Sequence, residues 1–227
     1  LLAGGFTVHS VIPSLYHKHR NPAVLRRTGV PRTVMLTFDD GPDPDYTGRL
    51  LDLLKKEEVK AAFFVVTREA VKEEALIDRM LSEGHVVGFH SMDHQNAMVR
   101  GYLHTRKDFR TGSEFMKRKG ISDIWYRPPW GLTNLFSWHF VRKYGMKMVL
   151  WDVMAEDWEK GATAGSIRKK CLSRVKDGSI LCLHDGGRRT GGAPGAPEKT
   201  LEALTYVIPA LKEAGYRFIL PSEAVFR

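Results

Sequence analysis

Short apolar runs alternating with helix-like stretches constrain this chain more than any other feature of its 227 residues. Seven runs rich in β-branched, aromatic or aliphatic residues occur at 34–38, 61–66, 86–90, 124–127, 146–152, 180–184 and 216–220. Between them, helical character is expected over 45–58, 68–83, 102–119, 134–144, 164–176 and 198–214. Leu50, Leu51, Leu53 and Leu54 give the first of these stretches an apolar face, and Ala75, Ile77, Met80 and Leu81 do the same for the second. Gly84, Gly120, Gly145, Gly178 and Gly215 stand where left-handed caps after helices are expected. Strands that alternate with helices predict parallel β–α units. A run such as Ala61-Ala62-Phe63-Phe64-Val65-Val66, with no polar alternation, predicts a strand covered on both faces. The pattern therefore predicts one α/β domain, either an open doubly wound sheet or a barrel. Residues 1–32, which carry Lys18, Arg20, Arg26, Arg27 and Arg32, are expected to form an irregular basic segment before a domain spanning 33–227.

Composition narrows the partners. With 43% hydrophobic and 27% charged residues the chain reads as an ordinary soluble globular protein. It has no uncharged apolar stretch long enough to span a bilayer. A net charge of +9 favours anionic partners, among them an acidic cell-wall polymer. Nucleic-acid binding is not expected, because the basic residues are dispersed over the helices and do not interleave with aromatics on one face. Cys171 and Cys182 form no C-x-x-C pair and are expected as two buried thiols, with a single disulfide as the alternative. The opening Leu1-Leu2-Ala3-Gly4-Gly5 is compatible with the end of a removed signal or anchor. The glycine-rich stretch 186–197 lacks the Gly-Lys-Ser/Thr ending of a phosphate-binding loop and is expected to form the rim of a site.

Chemistry collects where the runs end. The first closes on Thr37-Phe38-Asp39-Asp40-Gly41-Pro42-Asp43, the third on His90-Ser91-Met92-Asp93-His94, and the fourth on Arg127-Pro128-Pro129-Trp130-Gly131. The fifth leads into Trp151-Asp152-Val153-Met154-Ala155-Glu156-Asp157-Trp158, and the sixth ends Leu183-His184-Asp185. Active sites of α/β folds form at the carboxyl ends of their strands. His90 and His94, four apart, would share one face of a helical turn, as a shared metal ion requires. Asp39 and Asp40 would point to opposite faces of a strand, but both can reach one pocket from a frayed strand end. One carboxylate and two imidazoles leave positions open on a zinc-like ion, the arrangement that hydrolytic catalysis uses.

These motifs, in this order, resemble those of the NodB-homology polysaccharide deacetylases, carbohydrate esterase family 4. The resemblance implies a distorted (β/α)7 barrel and a metal-dependent hydrolase that removes acetyl groups from sugars. It implies that Asp40, His90 and His94 hold the ion, most often Zn2+, with Co2+, Mn2+ and Ni2+ as the other compatible ions. Asp39 becomes the general base and His184 the general acid. Arg127 orients Asp39, and Asp157 pairs with His184, with Asp152 as its competitor for that place. The ion would polarise the acetyl carbonyl and activate water. The backbone N–H of Trp130 would face the oxyanion. Trp130, Pro129, Trp158 and Leu183 are expected to shape a pocket of acetyl size, and Asp43 either receives a substrate hydroxyl or caps a turn.

The expected substrate is an N-acetylglucosamine polymer, peptidoglycan or chitin-like, met outside the cytoplasm or in the cell envelope. O-acetyl esters and cyclic amides are the alternatives on the same fold. A non-catalytic polysaccharide-binding module is the third, and it is disfavoured because every catalytic motif residue is present.

Overall fold

In the computed structural model the described residues are 2–187 and 190–226. Nine strands, β1 (Val24–Leu25), β2 (Thr33–Asp39), β3 (Ala62–Val65), β4 (Val86–Phe89), β5 (Trp125–Tyr126), β6 (Lys147–Val149), β7 (Val153–Met154), β8 (Ser179–His184) and β9 (Arg217–Phe218), form one sheet. Its order is β1-β6-β5-β4-β3-β2-β8-β7, with β9 beside β2. Every pairing is parallel. The helices are α1 (Leu2–Phe6), α2 (Ile12–His19), α3 (Thr47–Lys56), α4 (Thr67–Lys72), α5 (Glu74–Ser82), α6 (Tyr102–Arg118), α7 (Ser137–Lys143), α8 (Ala164–Arg174) and α9 (Ala196–Glu213).

All seven expected runs are strands, and the helices fall between them as the periodicity predicts. Two runs divide. The 68–83 stretch breaks at Glu73 into α4 and α5. The 146–152 run ends early: β6 pairs with β5 and β1, and the same chain then crosses to β8 as β7. That crossing curls the sheet into an incompletely closed barrel. The glycine expectation holds in backbone terms for Gly84, Gly120, Gly145 and Gly215, at φ of 81°, 73°, 64° and 80° just past α5, α6, α7 and α9, whereas Gly178, at φ 79°, belongs to the turn that enters β8 and caps no helix.

The N-terminal segment departs from its expected irregularity. A continuous helical backbone runs from α1 through a π-turn (Thr7–Val11) into α2, and β1 then pairs with β6. Propensity is weak here, with two glycines in α1 and three β-branched residues in the π-turn. Contacts with the barrel form this helix, and local sequence does not encode those contacts.

Strand alternation sorts the core. Val34, Leu36, Phe38, Phe63, Val65, Leu181 and Leu183 face the helices in one large apolar cluster. Met35, Ala62, Phe64, Trp125, Val149 and Ile180 fill the barrel's interior in a smaller one. Interior positions thus read Met35-Thr37-Asp39 along β2 and Ile180-Cys182-His184 along β8. The barrel is apolar at its foot and polar at its mouth. Gly88 serves this interior: a Cβ there would lie 2.8 Å from Phe64 and from the Trp125 carbonyl.

Candidate active site

The carboxyl ends of β2, β4, β5 and β8, with the loops after β7 and β8, surround a cavity of about 470 Å3. Asp39, Asp40, His90, His94, Trp130, Trp151, Met154, Trp158, Cys182 and His184 are among its lining residues. That volume lies within the roughly 300–1,000 Å3 typical of small-molecule sites, and so exceeds the acetyl-sized pocket expected from sequence.

Left-handed backbone brings the ligating groups together. β2 ends at Asp39, and Asp40 adopts φ 76°, so consecutive carboxylates that would diverge in a strand line the same cavity. His90 follows β4, and Ser91 and His94 have φ of 75° and 51°. The two imidazoles therefore converge through a left-handed turn and not through the helical turn their spacing suggested. The Ser91 hydroxyl accepts the His94 N–H at 2.7 Å, while Thr67 and Arg68 at the start of α4 donate to the carbonyls of Ser91 and Met92. Non-glycine residues in such conformations cost on the order of 1–3 kcal/mol each and persist where surrounding structure imposes them.

The Asp40–His90–His94 group has the donor set of a metal site. Its ligand atoms lie within 4.8 Å of one another. His90 Nε2 and His94 Nε2 stand 3.4 and 3.1 Å from Asp40 Oδ1, a buried oxygen with no hydrogen-bond partner. His90 Nδ1–H donates to the Arg127 carbonyl at 2.7 Å, which leaves the Nε2 lone pair facing the centre. The other carboxylate oxygen of Asp40 accepts the Thr190 hydroxyl at 2.6 Å. Burial would raise the Asp40 carboxyl, but the two imidazoles hold it well below the usual carboxylate range. The arrangement fits a divalent cation.

Beside it, Asp39 is fully engaged. Arg127, wholly buried, donates to Asp39 Oδ1 and to Thr37 Oγ1, both at 2.7 Å, and to the Leu150 carbonyl at 3.3 Å. Its guanidinium lies 4.1 Å from the Phe64 ring centre. The Cys182 thiol, 3.3 Å from Asp39 Oδ2, donates to that oxygen, and burial pushes its pKa well above the ordinary value. Cys171 and Cys182 are both buried and free.

Across the cavity, His184 Nδ1 bonds Asp157 Oδ1 at 2.8 Å. Asp157 Oδ2 accepts the His184 backbone N–H and the Thr200 hydroxyl. Burial by itself would lower the His184 pKa, but Asp157, with Asp40 and Asp39 behind it, raises it to about 9. Asp152 does not reach His184: it accepts the Ser179 hydroxyl and the Ile180 N–H at the start of β8.

The remaining expected residues separate. Trp130, at φ 53° and 51% exposed, stacks obliquely on His94, and Trp158 meets His184 edge-on. Leu183 is a correction. It has the opposite strand parity to Cys182 and His184 and packs in the helix-facing core. Leu183→Ala is accordingly expected to lower stability by about 2–5 kcal/mol while leaving KM unchanged, as urea titration beside steady-state kinetics would show. Pro129 is buried behind the site and does not line the cavity. Asp43 Oδ1 accepts the Asp45 N–H, which is the turn-capping alternative.

The sequence pointed to the segments that carry Thr190, Trp151 and Met154, as a rim loop and as the stretch after the fifth run, but gave these lining residues no role of their own, because nothing in their residue types sets them apart from their neighbours. It also gave no role to Asp185. That carboxylate is buried under the Asp40-Gly41 turn, accepts the Thr47 hydroxyl at 2.6 Å, and is pushed up to about 7 by burial and by the charges of Asp40 and Asp39. A side chain at Gly41 would strike it, since a Cβ there would sit 2.2 Å from Asp185 Oδ2.

Comparison with known proteins agrees with this architecture. The chain is 32% identical over 194 residues to a peptidoglycan-N-acetylglucosamine deacetylase of Bacillus cereus, covering 85% of this chain and 87% of that protein. The crystal structure of the Bc1960 peptidoglycan N-acetylglucosamine deacetylase superposes with a TM-score of 0.80 at 32% identity, covering 88% of this chain and 92% of that one. A family 4 acetyl xylan esterase from Clostridium thermocellum, solved with a cobalt ion, superposes with a TM-score of 0.74 at 33% identity, covering 84% and 89%. The curled parallel sheet is the distorted (β/α)7 barrel of these structures. The polysaccharide deacetylase family matches residues 26–149, a span that begins just after β1 and ends with β6. With that match, the identity to the relatives and the shared barrel, this chain belongs to the polysaccharide deacetylase family.

Proposed function

We propose that this protein is a metal-dependent hydrolase that removes N-acetyl groups from an N-acetylglucosamine polysaccharide, peptidoglycan or chitin-like. One observation carries the reading: a carboxylate held by a buried arginine and a histidine held by a buried carboxylate face one cavity, beside an Asp–His–His group. A divalent ion on Asp40, His90 and His94 supplies Lewis acidity toward the acetyl carbonyl and toward water. Asp39 accepts the proton of the attacking water, and Arg127 holds that carboxylate in place through the 2.7 Å contact to its Oδ1. The Trp130 N–H, carried on its left-handed turn, faces the developing oxyanion. His184, protonated at neutral pH with its pKa near 9, delivers a proton to the departing amine. The aromatic walls Trp130, Trp151 and Trp158 suit the faces of sugar rings. A +9 chain suits an anionic wall polymer, and the proposed place of action is the cell envelope.

Acetate release from peptidoglycan, from N-acetylglucosamine oligomers and from acetylated xylan tests the reading. Preference for either amide substrate supports it. Release from xylan alone would replace it with an O-acetyl esterase, and no release from any of them would leave a binding module.

The acid role predicts a pH signature. His184 holds its proton below about pH 9 and loses it above, so activity falls on the alkaline side. In Asp157→Asn, burial acts on His184 without its opposing carboxylate, and the alkaline limb of kcat is expected to move to lower pH. An unmoved limb in a folded variant would remove His184 from the acid role.

A further inference from the structure

The helical run through α1, the π-turn and α2 is inverted in polarity relative to an ordinary surface helix. Its domain-facing side is made of small or polar groups. Ser10 donates to the Met98 carbonyl at 2.6 Å, Ser14 to the Thr133 carbonyl at 2.9 Å, and the His17 ring packs on Trp138. Its outward side presents Val8, Ile12, Leu15 and Tyr16, which are 56%, 54%, 54% and 47% exposed. Their spacing places all four on one stripe. Exposed Val99 and Leu135 extend it on the neighbouring loops, next to Met98 and to the Leu135 N–H that the His9 carbonyl accepts. A contiguous apolar surface of this kind marks a docking site.

Charge identifies the occupant. Residues 1–38 contain Lys18, Arg20, Arg26, Arg27 and Arg32 and not one aspartate or glutamate, the first acid being Asp39. Lys18 and Arg20 lie exposed at the end of the stripe. Two copies of this chain packing through the face would bring two acid-free basic segments together. A glycan would find aliphatic side chains with no hydrogen bonds to offer. An anionic lipid surface satisfies both features, apolar groups entering the acyl boundary and cations resting on headgroups. No helix among the described residues is long and apolar enough to cross a membrane, so the geometry is one of lying on the surface.

We propose that this face docks the domain on an anionic lipid bilayer, with the helix in the interfacial plane. The helix packs on the loops that follow β4 and β5, which also carry His94 and Trp130. Docking therefore sets the cavity mouth close to the lipid surface, where it meets polymer strands nearest the membrane. The inference does not depend on which acetylated substrate is hydrolysed.

Flotation of the full chain with phosphatidylglycerol vesicles, against phosphatidylcholine vesicles, tests it. Binding to the anionic vesicles is expected, weakened by salt. A Tyr16→Trp variant is expected to be quenched by brominated acyl chains. The paired substitution Ile12→Asp with Leu15→Asp is expected to weaken binding about tenfold or more without changing acetate release from a soluble oligosaccharide. The pair Lys18→Glu with Arg20→Glu probes the same surface without touching the apolar stripe. No flotation with anionic vesicles would overturn the proposal. So would undiminished binding by both pairs, or a solution dimer that the Ile12/Leu15 pair disrupts.

Discussion

Asp39→Asn is expected to lower kcat for acetate release by about 10^2–10^4-fold, the range that a positioned general base contributes. The amide is isosteric and can still accept from Arg127, so the geometry is preserved, but it takes up no proton. Bound metal should be unchanged, because Asp40, His90 and His94 remain. The same substitution has a second consequence. Arg127 is wholly buried, and Asp39 is the carboxylate opposite it. Removing one partner of a buried pair costs about 3–5 kcal/mol, since the charge left behind is uncompensated. The variant is thus expected to melt earlier as well as to turn over slowly. Assaying well below its melting temperature separates the two effects. Activity within tenfold of the parent in a folded variant would sink the assignment of Asp39 as base.

Removing the metal is the other large effect. Dialysis against a chelator, or His90→Ala, is expected to abolish turnover while leaving the barrel folded. The ligands sit at the barrel's mouth and contribute little to either apolar cluster. Restoring Zn2+, Co2+, Mn2+ or Ni2+ to chelated protein should return activity, but to His90→Ala only weakly, with one ion bound per chain in the parent by elemental analysis. Binding to the folded state alone also stabilises it, by about 2.7 kcal/mol when free ion exceeds Kd a hundredfold. The parent should therefore melt higher with ion than without, and His90→Ala should show a smaller rise. Full turnover after exhaustive chelation would overturn the metal-dependent reading. An unchanged melting temperature would argue that the Asp–His–His group holds no ion.

The sequence by itself determined the seven strand runs, the helices between them and the strand ends where reactive residues gather. It could do so because an apolar run and a 3.6-residue stripe are local patterns, set by what one strand or helix must bury. The motif residues were legible for the same reason: each lies within a few positions of a strand end. Tertiary structure decided what depends on long-range pairing. Leu183 and His184 are neighbours in one apolar run, and only the register of β8 against β2 says that Leu183 packs toward the helices while His184 faces the cavity. Asp152 and Asp157 stand on either side of β7, and only the crossing from β6 to β7 gives the first to the foot of β8 and the second to its carboxyl end. The convergence of Asp40, His90 and His94 depends on left-handed φ values at Asp40, Ser91 and His94, which no side-chain pattern announces. Those conformations cost energy locally, and contacts between segments far apart in the chain hold them in place.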